Sequence, residues 1–309
     1  MKVIVTGSSS CLARPFLPRL CACDDVKEVI GIDWRPGSFK HHKFTPVRAD
    51  IRDIKIAPLF AGTDLVYHLA FIVLRSSLGK ARNNRELIRD INVNGSKRIF
   101  EMASTNKVKR LVHLSSSAVY GAWPDNPYSI DEYQTRRIMP DFSYSEDKNA
   151  VEDILDGLEN KNPNMIITRL RPHVILGPNC QPFLRTLLQL PFYPALPKPE
   201  PLTQCVWEDD VCSAMILSRK ASHSASYNIA TDDSMPFSEM IKFRRKKALP
   251  LPYKALQLAH KHLWKFSSIA EEPGWFNGMQ YPLTVSNCRA KQELGWHPTH
   301  SVKDCVEKL

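Results

Sequence analysis

The chain has no long hydrophobic run: across its 309 residues no apolar stretch approaches the roughly 18 that a membrane-spanning helix needs. It has no charged leader followed by an extended apolar segment. Met1–Gly7 reads instead as a strand and a turn, so no secretory signal is expected. The eight cysteines (Cys11, Cys21, Cys23, Cys180, Cys205, Cys212, Cys288 and Cys305) form no Cys-x-x-Cys pair and meet no histidine at finger-like spacing. No metal site is therefore expected, and without a secretory signal the thiols read as reduced and mostly buried in a cytoplasmic protein. There is no internal repeat. At 43% hydrophobic and 24% charged, the composition excludes collagen-like, disulfide-rich and mostly disordered classes. Acidic residues are the minority, 32 against 42 Lys+Arg, a net charge of +10. That excess raises polyanions as partners, but no nucleic-acid recognition module accompanies it, and nucleic acid is not expected to bind.

What is present begins with alternation. Short β-branched runs at Lys2–Thr6, Glu28–Asp33, Leu65–Leu69, Arg110–Ser115 and Met165–Leu170 are separated by amphipathic segments near 11–22, 83–106 and 143–160. Apolar runs of this length suit strands buried on both faces, and strands alternating with helices give a parallel sheet. Residues 1–172 thus read as a doubly wound α/β domain. Over 177–201 seven prolines (Pro178, Pro182, Pro191, Pro194, Pro197, Pro199 and Pro201) forbid regular helix or inner strand along much of the stretch. Strand-like character returns at Gln204–Trp207 and Ala225–Ala230, so 203–231 is expected to rejoin the sheet domain. The rest of 173–309 reads as a smaller, irregular, largely helical substrate domain.

The first strand runs into Thr6-Gly7-Ser8-Ser9-Ser10-Cys11-Leu12-Ala13 and then a helix. Glycines in a dinucleotide-binding turn allow a tight bend and close approach of pyrophosphate, while the helix start offers N–H donors. Here only Gly7 is present, with Ser10 and Ala13 at the second and third positions. Gly7, Ser10, Cys11 and Leu12 are the candidate phosphate-side residues. Asp33 ends the second strand 26 residues after Gly7, where a carboxylate accepts from ribose hydroxyls and repels a 2′-phosphate. NAD is expected over NADP, although Arg35 could pair with a 2′-phosphate.

After Arg110–Ser115 come Ser116-Ser117-Ala118-Val119-Tyr120-Gly121 and then Ser143-Tyr144-Ser145-Glu146-Asp147-Lys148. Tyr144 and Lys148, four apart, share a helix face. Ser143 with Glu146 reads as a capping box that places Tyr144 in the first turn. A lysine ammonium favours tyrosine's phenolate, which can take a proton from an alcohol as hydride leaves its carbon and return it in reduction. A serine hydroxyl orients the substrate oxygen. Of nine tyrosines only Tyr144 is followed by lysine at that spacing.

With these motifs the sequence closely resembles the extended short-chain dehydrogenase/reductase family, the NAD-dependent epimerase/dehydratase group, over nearly the whole chain. The resemblance implies a Rossmann domain that binds NAD, with Ser116, Tyr144 and Lys148 catalytic. It further implies that Asp50 and Ile51, in Ala49–Asp53, contact adenine. Leu69 and Ala70, in Tyr67–Ala70, would line the cofactor, and Asn92, in Asn92–Gly95, would lie near the nicotinamide. Tyr144 and Lys148 themselves reach the cofactor, and Pro172, in Arg171–Pro178, marks the crossover into the substrate domain. Val206–Val211, Tyr227–Ala230 and Leu294–Trp296 match later landmarks. There are departures. Ser10 replaces a glycine, Trp207 a histidine, no arginine precedes Val206, and no Arg-x-Gly-Asp precedes Leu294. A nucleoside-diphosphate sugar therefore has no evident guanidinium partner for its diphosphate.

Other residues invite two readings. His173 could line the pocket or pack, and Trp264, Trp275 and Phe276 could wall an apolar pocket or form core. Lys242–Phe266 holds eight Lys/Arg and no Asp/Glu, and Leu256, Ala259, Leu263 and Phe266 fall on one helical face with Lys254, Lys261 and Lys265 on another. Such a helix suits either an anionic membrane surface or a solvated domain face. The expected function is hydride transfer between a nicotinamide and a secondary alcohol or ketone carbon of a small-molecule substrate, as an oxidoreductase or epimerase/dehydratase. A non-catalytic dinucleotide sensor or assembly factor, and a membrane-surface dehydrogenase of a lipid-like alcohol, are the alternatives. A homodimer and membrane contact through 242–266 are the further partners considered.

Overall fold

The computed structural model describes residues 1–73, 84–181, 192–244, 247–249, 252–266 and 272–309. Pro182, Pro191, Arg245 and Lys246, singled out in the sequence, lie outside them. Strands β1 (Lys2–Thr6), β2 (Glu28–Asp33), β3 (Phe44–Arg48), β4 (Leu65–His68), β5 (Arg110–Leu114) and β6 (Ile166–Pro172) form one parallel sheet, joined at its edge by β7 (Ala225–Ile229). The order is β7-β6-β5-β4-β1-β2-β3. Chain connections therefore diverge between the neighbours β1 and β4, and a doubly wound sheet binds ligands at the carboxyl ends of strands where this happens.

The inner strands are apolar because helices cover both faces. On one face α1 (Ala13–Cys21) and α5 (Glu208–Ser218) pack Phe16, Leu17 and Met215 onto Val3, Val5 and Tyr67. On the other, α3 (Gly95–Thr105) and α4 (Ser143–Lys161) pack Ile99, Phe100, Val151 and Leu155 onto Ile4, Val66 and Ile167. Helix α3 is entered from α2 (Arg85–Arg89) through a π-helical turn at Asp90–Asn94. The edge strand β3 has no counterpart among the apolar runs. It is short, mostly exposed and contains Pro46, a residue tolerated only at edges.

Beyond β7 come α6 (Phe237–Lys242), α7 (Tyr253–Phe266), α8 (Pro273–Asn277), α9 (Cys288–Leu294) and α10 (Val302–Glu307). The sequence pattern gives α7 an apolar face of Leu256, Ala259, Leu263 and Phe266, but the helix buries little of it: Leu256 is half-buried, and Ala259 and Leu263 are exposed. It packs through Tyr253 and Gln257: the Tyr253 ring stacks on Phe276 at 4.8 Å, its hydroxyl donates to the Phe276 carbonyl at 2.6 Å, and Gln257 Nε2 donates to Asn277 Oδ1 at 2.7 Å. Hydrogen-bonding side chains thus outcompete the leucines for contact with α8. No helix among the described residues is long and apolar enough to cross a membrane.

Candidate active site

The cofactor-side residues gather at the divergence of β1 and β4. Gly7 has φ +72°, and a Cβ there would lie 2.6 Å from the Ala70 nitrogen and 2.8 Å from the Leu69 carbonyl carbon. The two turns touch, which only glycine permits. Ser10, at the missing glycine, spends its hydroxyl on the helix start, where Oγ accepts from the Ala13 amide at 3.3 Å. Cys11 is half-buried and Leu12 belongs to the core. Asp33, buried at the end of β2, accepts from the Ser9 amide at 2.9 Å through one oxygen and from the Arg35 amide at 2.9 Å through the other. Each carboxylate oxygen keeps a lone pair for a ribose hydroxyl. Arg35 turns back on this turn, donating to the Ser9 carbonyl at 3.2 Å and lying 3.5 Å from Asp33. Its guanidinium is engaged, which suits NAD. No acidic residue sits in the first turn of α1 to repel a phosphate. The cleft therefore fits a dinucleotide.

Asp50 and Ile51, just past β3, are held from behind. Asp50 pairs with Arg52 at 2.6 Å, which keeps its carboxyl below the usual range, and Arg52 reaches on to Asp90 at 2.7 Å. Ile51 is buried against Gly95, where a Cβ would come within 2.7 Å of it.

Helix α4 brings the chemistry together, though not by the expected capping box. Ser143 is the first helical residue and its amide is capped by Glu272 Oε2 at 2.7 Å, while its hydroxyl donates to the other oxygen of Glu272. Glu146 instead pairs with Arg85 at 3.2 Å and Arg89 at 2.9 Å. A carboxylate from the start of α8 thus replaces the local cap, because two guanidinium groups hold Glu146 away. Tyr144 still falls in the first turn, with Lys148 one turn on. Ser116, extended at the end of β5, accepts from the Ala118 amide at 3.2 Å and presents its hydroxyl to Tyr144.

The electrostatics differ from expectation. Burial pushes Tyr144 up to about 12, with the Ser116 hydroxyl pulling weakly the other way. Lys148 does not lower it. The lysine Nζ donates to the Leu114 carbonyl at 2.7 Å and sits 3.7 Å from the centre of the Phe71 ring, against 5.8 Å for Tyr144. Burial brings Lys148 down to about 7, although Glu152 and Asp147 favour its charged form. Glu152 lies beneath, wholly buried, accepting from Arg171 Nε at 2.9 Å and from the Ser115 hydroxyl at 2.5 Å.

Asn92 is a brace. Its Oδ1 accepts from the Ile72 amide at 2.7 Å, and its Nδ2 donates to Asp147 at 3.1 Å. It comes from the π-helical turn, a distortion common at functional sites. Asp147 is fixed again by Arg85 at 2.6 Å. Pro172 is buried at the end of β6. His173 packs: Nε2 donates to the Leu283 carbonyl at 2.8 Å, and burial lowers it to about 4, so it is neutral. Trp275 stacks on Tyr144 at 5.4 Å and on Phe142, edge-on, at 4.9 Å, while Phe276 packs on Tyr253 and Trp264 is half-buried on α7. The space left beside Tyr144, between Asn92, Asp147, Glu272 and Trp275, is about 10 Å³, room for one water. A second cavity of about 210 Å³ lies among Ala122, Trp123, Met139, Gln257 and Tyr281. Sequence reasoning missed Phe71 and Glu272. Phe71 directly follows Ala70 and was within reach. Glu272 is separated from Ser143 by 129 positions and belongs to no motif.

The comparisons agree with this architecture. The sequence model of the NAD dependent epimerase/dehydratase family matches residues 3–191. The protein YbjS of Escherichia coli K12 is 23% identical over 334 aligned residues, spanning 100% of this chain and 96% of its own. Short-chain dehydrogenase/reductase family 42E member 1 of Danio rerio is 25% identical across 84% of this chain and 76% of its own. The structure of DesIV, a dTDP-glucose 4,6-dehydratase double mutant from Streptomyces venezuelae with NAD bound, superimposes with a TM-score of 0.76 at 19% identity, covering 100% of this chain and 95% of that one. By its family match and its fold, the chain is an enzyme of the NAD dependent epimerase/dehydratase family and takes NAD as its cofactor.

Proposed function

We propose that the chain moves hydride between NAD and a secondary alcohol or ketone carbon of a small molecule, as an oxidoreductase or epimerase, with Tyr144 as the acid/base. The convergence of Ser116, Tyr144 and Lys148 at the carboxyl end of β5 carries the reading. NAD, when bound, supplies the hydride acceptor or donor. The chain's residues handle the substrate oxygen and its proton. A tyrosine near 12 is protonated at neutral pH and is poised to donate to a ketone oxygen as the carbon gains hydride. Ser116 donates a hydrogen bond to the same oxygen and stabilises its developing charge. Lys148, freed from the Phe71 ring, places its ammonium near the phenolate so formed. Dehydration is less well served, since Ser117 and Ala118, beside Ser116, supply no acidic pair.

Nothing in the described pocket wall supplies a guanidinium for a diphosphate; the rings of Phe142, Tyr144 and Trp275 favour an apolar or ring-bearing substrate. Titration of NADH by its fluorescence tests the cofactor half of the proposal. Saturable binding is expected, abolished in Gly7→Val, whose Cβ has no room against Ala70. Absence of NADH binding by the unmutated chain sinks the reading.

A further inference from the structure

The net charge is concentrated. Residues 242–266 hold eight Lys/Arg and no Asp/Glu, while the other residues hold 34 basic and 32 acidic side chains and are close to neutral. Helix α7 carries three of the eight, Lys254, Lys261 and Lys265, and turns Tyr253 inward, with Leu256, Gln257 and His260 half-buried beside it. Its exposed side runs from Lys254, Leu258 and Lys261 on one flank, across Ala255 and His262, to Ala259 and Leu263 on the other. Leu258 and Leu263 are each 60% exposed, one towards either flank. Lys254 and Lys261 are exposed beside Leu258, and a surface pair of Lys261 with Asp141 at 3.9 Å offsets little of that charge. Just before the helix, Phe192 is half-exposed in register with Lys247.

We infer that this face of α7 docks on an anionic lipid bilayer. Leu258, with Lys254 and Lys261 one turn away on either side, matches a boundary where acyl chains begin beneath negative headgroups, and Ala255, Ala259 and Leu263 continue the small and apolar surface across the exposed side. A soluble acidic protein would use the lysines but leave the leucines unexplained. The position also makes chemical sense. Gln257 of α7 lines the 210 Å³ cavity with Ala122, Met139 and Pro140, and α8, on which α7 rests, carries Trp275 against Tyr144. A helix seated on a bilayer would thus stand beside an apolar cavity and one element away from the catalytic tyrosine. The docking surface does not depend on the hydride-transfer reading and can fail or survive separately.

Flotation of the full chain with vesicles tests it, using pure phosphatidylcholine against 30% phosphatidylserine at low and high salt. Binding to the anionic vesicles is expected at least tenfold above neutral ones and falling with salt. Lys254→Gln with Lys261→Gln is expected to lower it about 30-fold, from roughly 1 kcal/mol per basic residue. Leu258→Gln with Leu263→Gln is expected to weaken it at both salt concentrations. All these positions are exposed, and an unchanged melting temperature and NADH affinity would show the fold intact. Equal binding to both vesicles, or binding that neither pair affects, overturns the proposal. So does concentration-dependent dimerisation that the leucine pair abolishes in the absence of vesicle binding, which would assign the face to a second copy of the chain.

Discussion

Replacing Lys148 by methionine should remove activity and yet stabilise the protein. The lysine is 2% exposed, and burial lowers its pKa from 10.5 to about 7 against the opposing pull of Glu152 and Asp147. A tenfold change in proton affinity corresponds to about 1.4 kcal/mol, so keeping this side chain inside the fold costs about 5 kcal/mol while it is charged. The sign follows from proton binding. Between about pH 7 and 10.5 the unfolded lysine holds a proton that the folded one has released, so stability rises with pH across that window. The cost is fully present below about pH 7 and fades towards 10.5. Methionine fills a similar volume and titrates not at all. It gives up the hydrogen bond to the Leu114 carbonyl and the contact with Phe71, which together return about 1–3 kcal/mol. The variant is thus expected to be about 2–4 kcal/mol more stable near neutral pH, with the advantage shrinking as pH rises to 9. Denaturant unfolding of both proteins at pH 6, 7.5 and 9 measures this directly. A variant that is less stable at pH 6, or whose stability runs parallel to the wild type over the range, would refute the reasoning.

Other perturbations probe other parts of the site. Gly274→Ala should push α8 from the catalytic helix, since its Cβ would lie 2.2 Å from that of Phe142. A loss of about 1–3 kcal/mol, altered tryptophan fluorescence and a raised KM are expected, and unchanged emission from Trp275 would count against it. Arg171→Met leaves Glu152 buried with its main partner gone and should cost about 3–5 kcal/mol in unfolding experiments. His113→Leu removes a fully buried ring whose nitrogens make no well-formed hydrogen bond, only a weak contact with the His68 backbone, and should stabilise by about 1–2 kcal/mol at pH 7. Because burial holds His113 well below 6.5, the wild type loses stability as pH falls below that value, and the variant's acid limb should be shallower. Equal acid limbs would show that His113 titrates normally.

Much of the sheet was legible because its strands are sandwiched between helices and therefore read as unbroken apolar runs. β1 and β2 coincide with the runs expected for them, and Tyr144 and Lys148 share the face their spacing required. The edge strand β3 escaped because solvent on its outer side leaves no such run and Pro46 reads as a breaker. The capping box failed for a different reason. Ser143 and Glu146 have the right local chemistry, but Arg85, Arg89 and Glu272 offer stronger charged partners from distant parts of the chain. The tuning of Tyr144 was illegible for the same reason. Spacing placed the lysine on the correct face, whereas its direction is set by Phe71 and the Leu114 carbonyl, which only the folded arrangement brings to it. The apolar stripe of α7 was visible in the sequence, but not that the helix would turn its tyrosine and glutamine inwards instead.

The central claim is that Tyr144 delivers the proton while NAD serves the hydride. The most direct measurement is NADH consumption at 340 nm over a panel of apolar and ring-bearing secondary ketones, comparing the wild type with Tyr144→Phe. Turnover of at least one ketone by the wild type is expected, with a fall of about 10²–10⁴-fold in kcat for the variant and NADH affinity unchanged within a small factor. Turnover by Tyr144→Phe at the wild-type rate would contradict the claim.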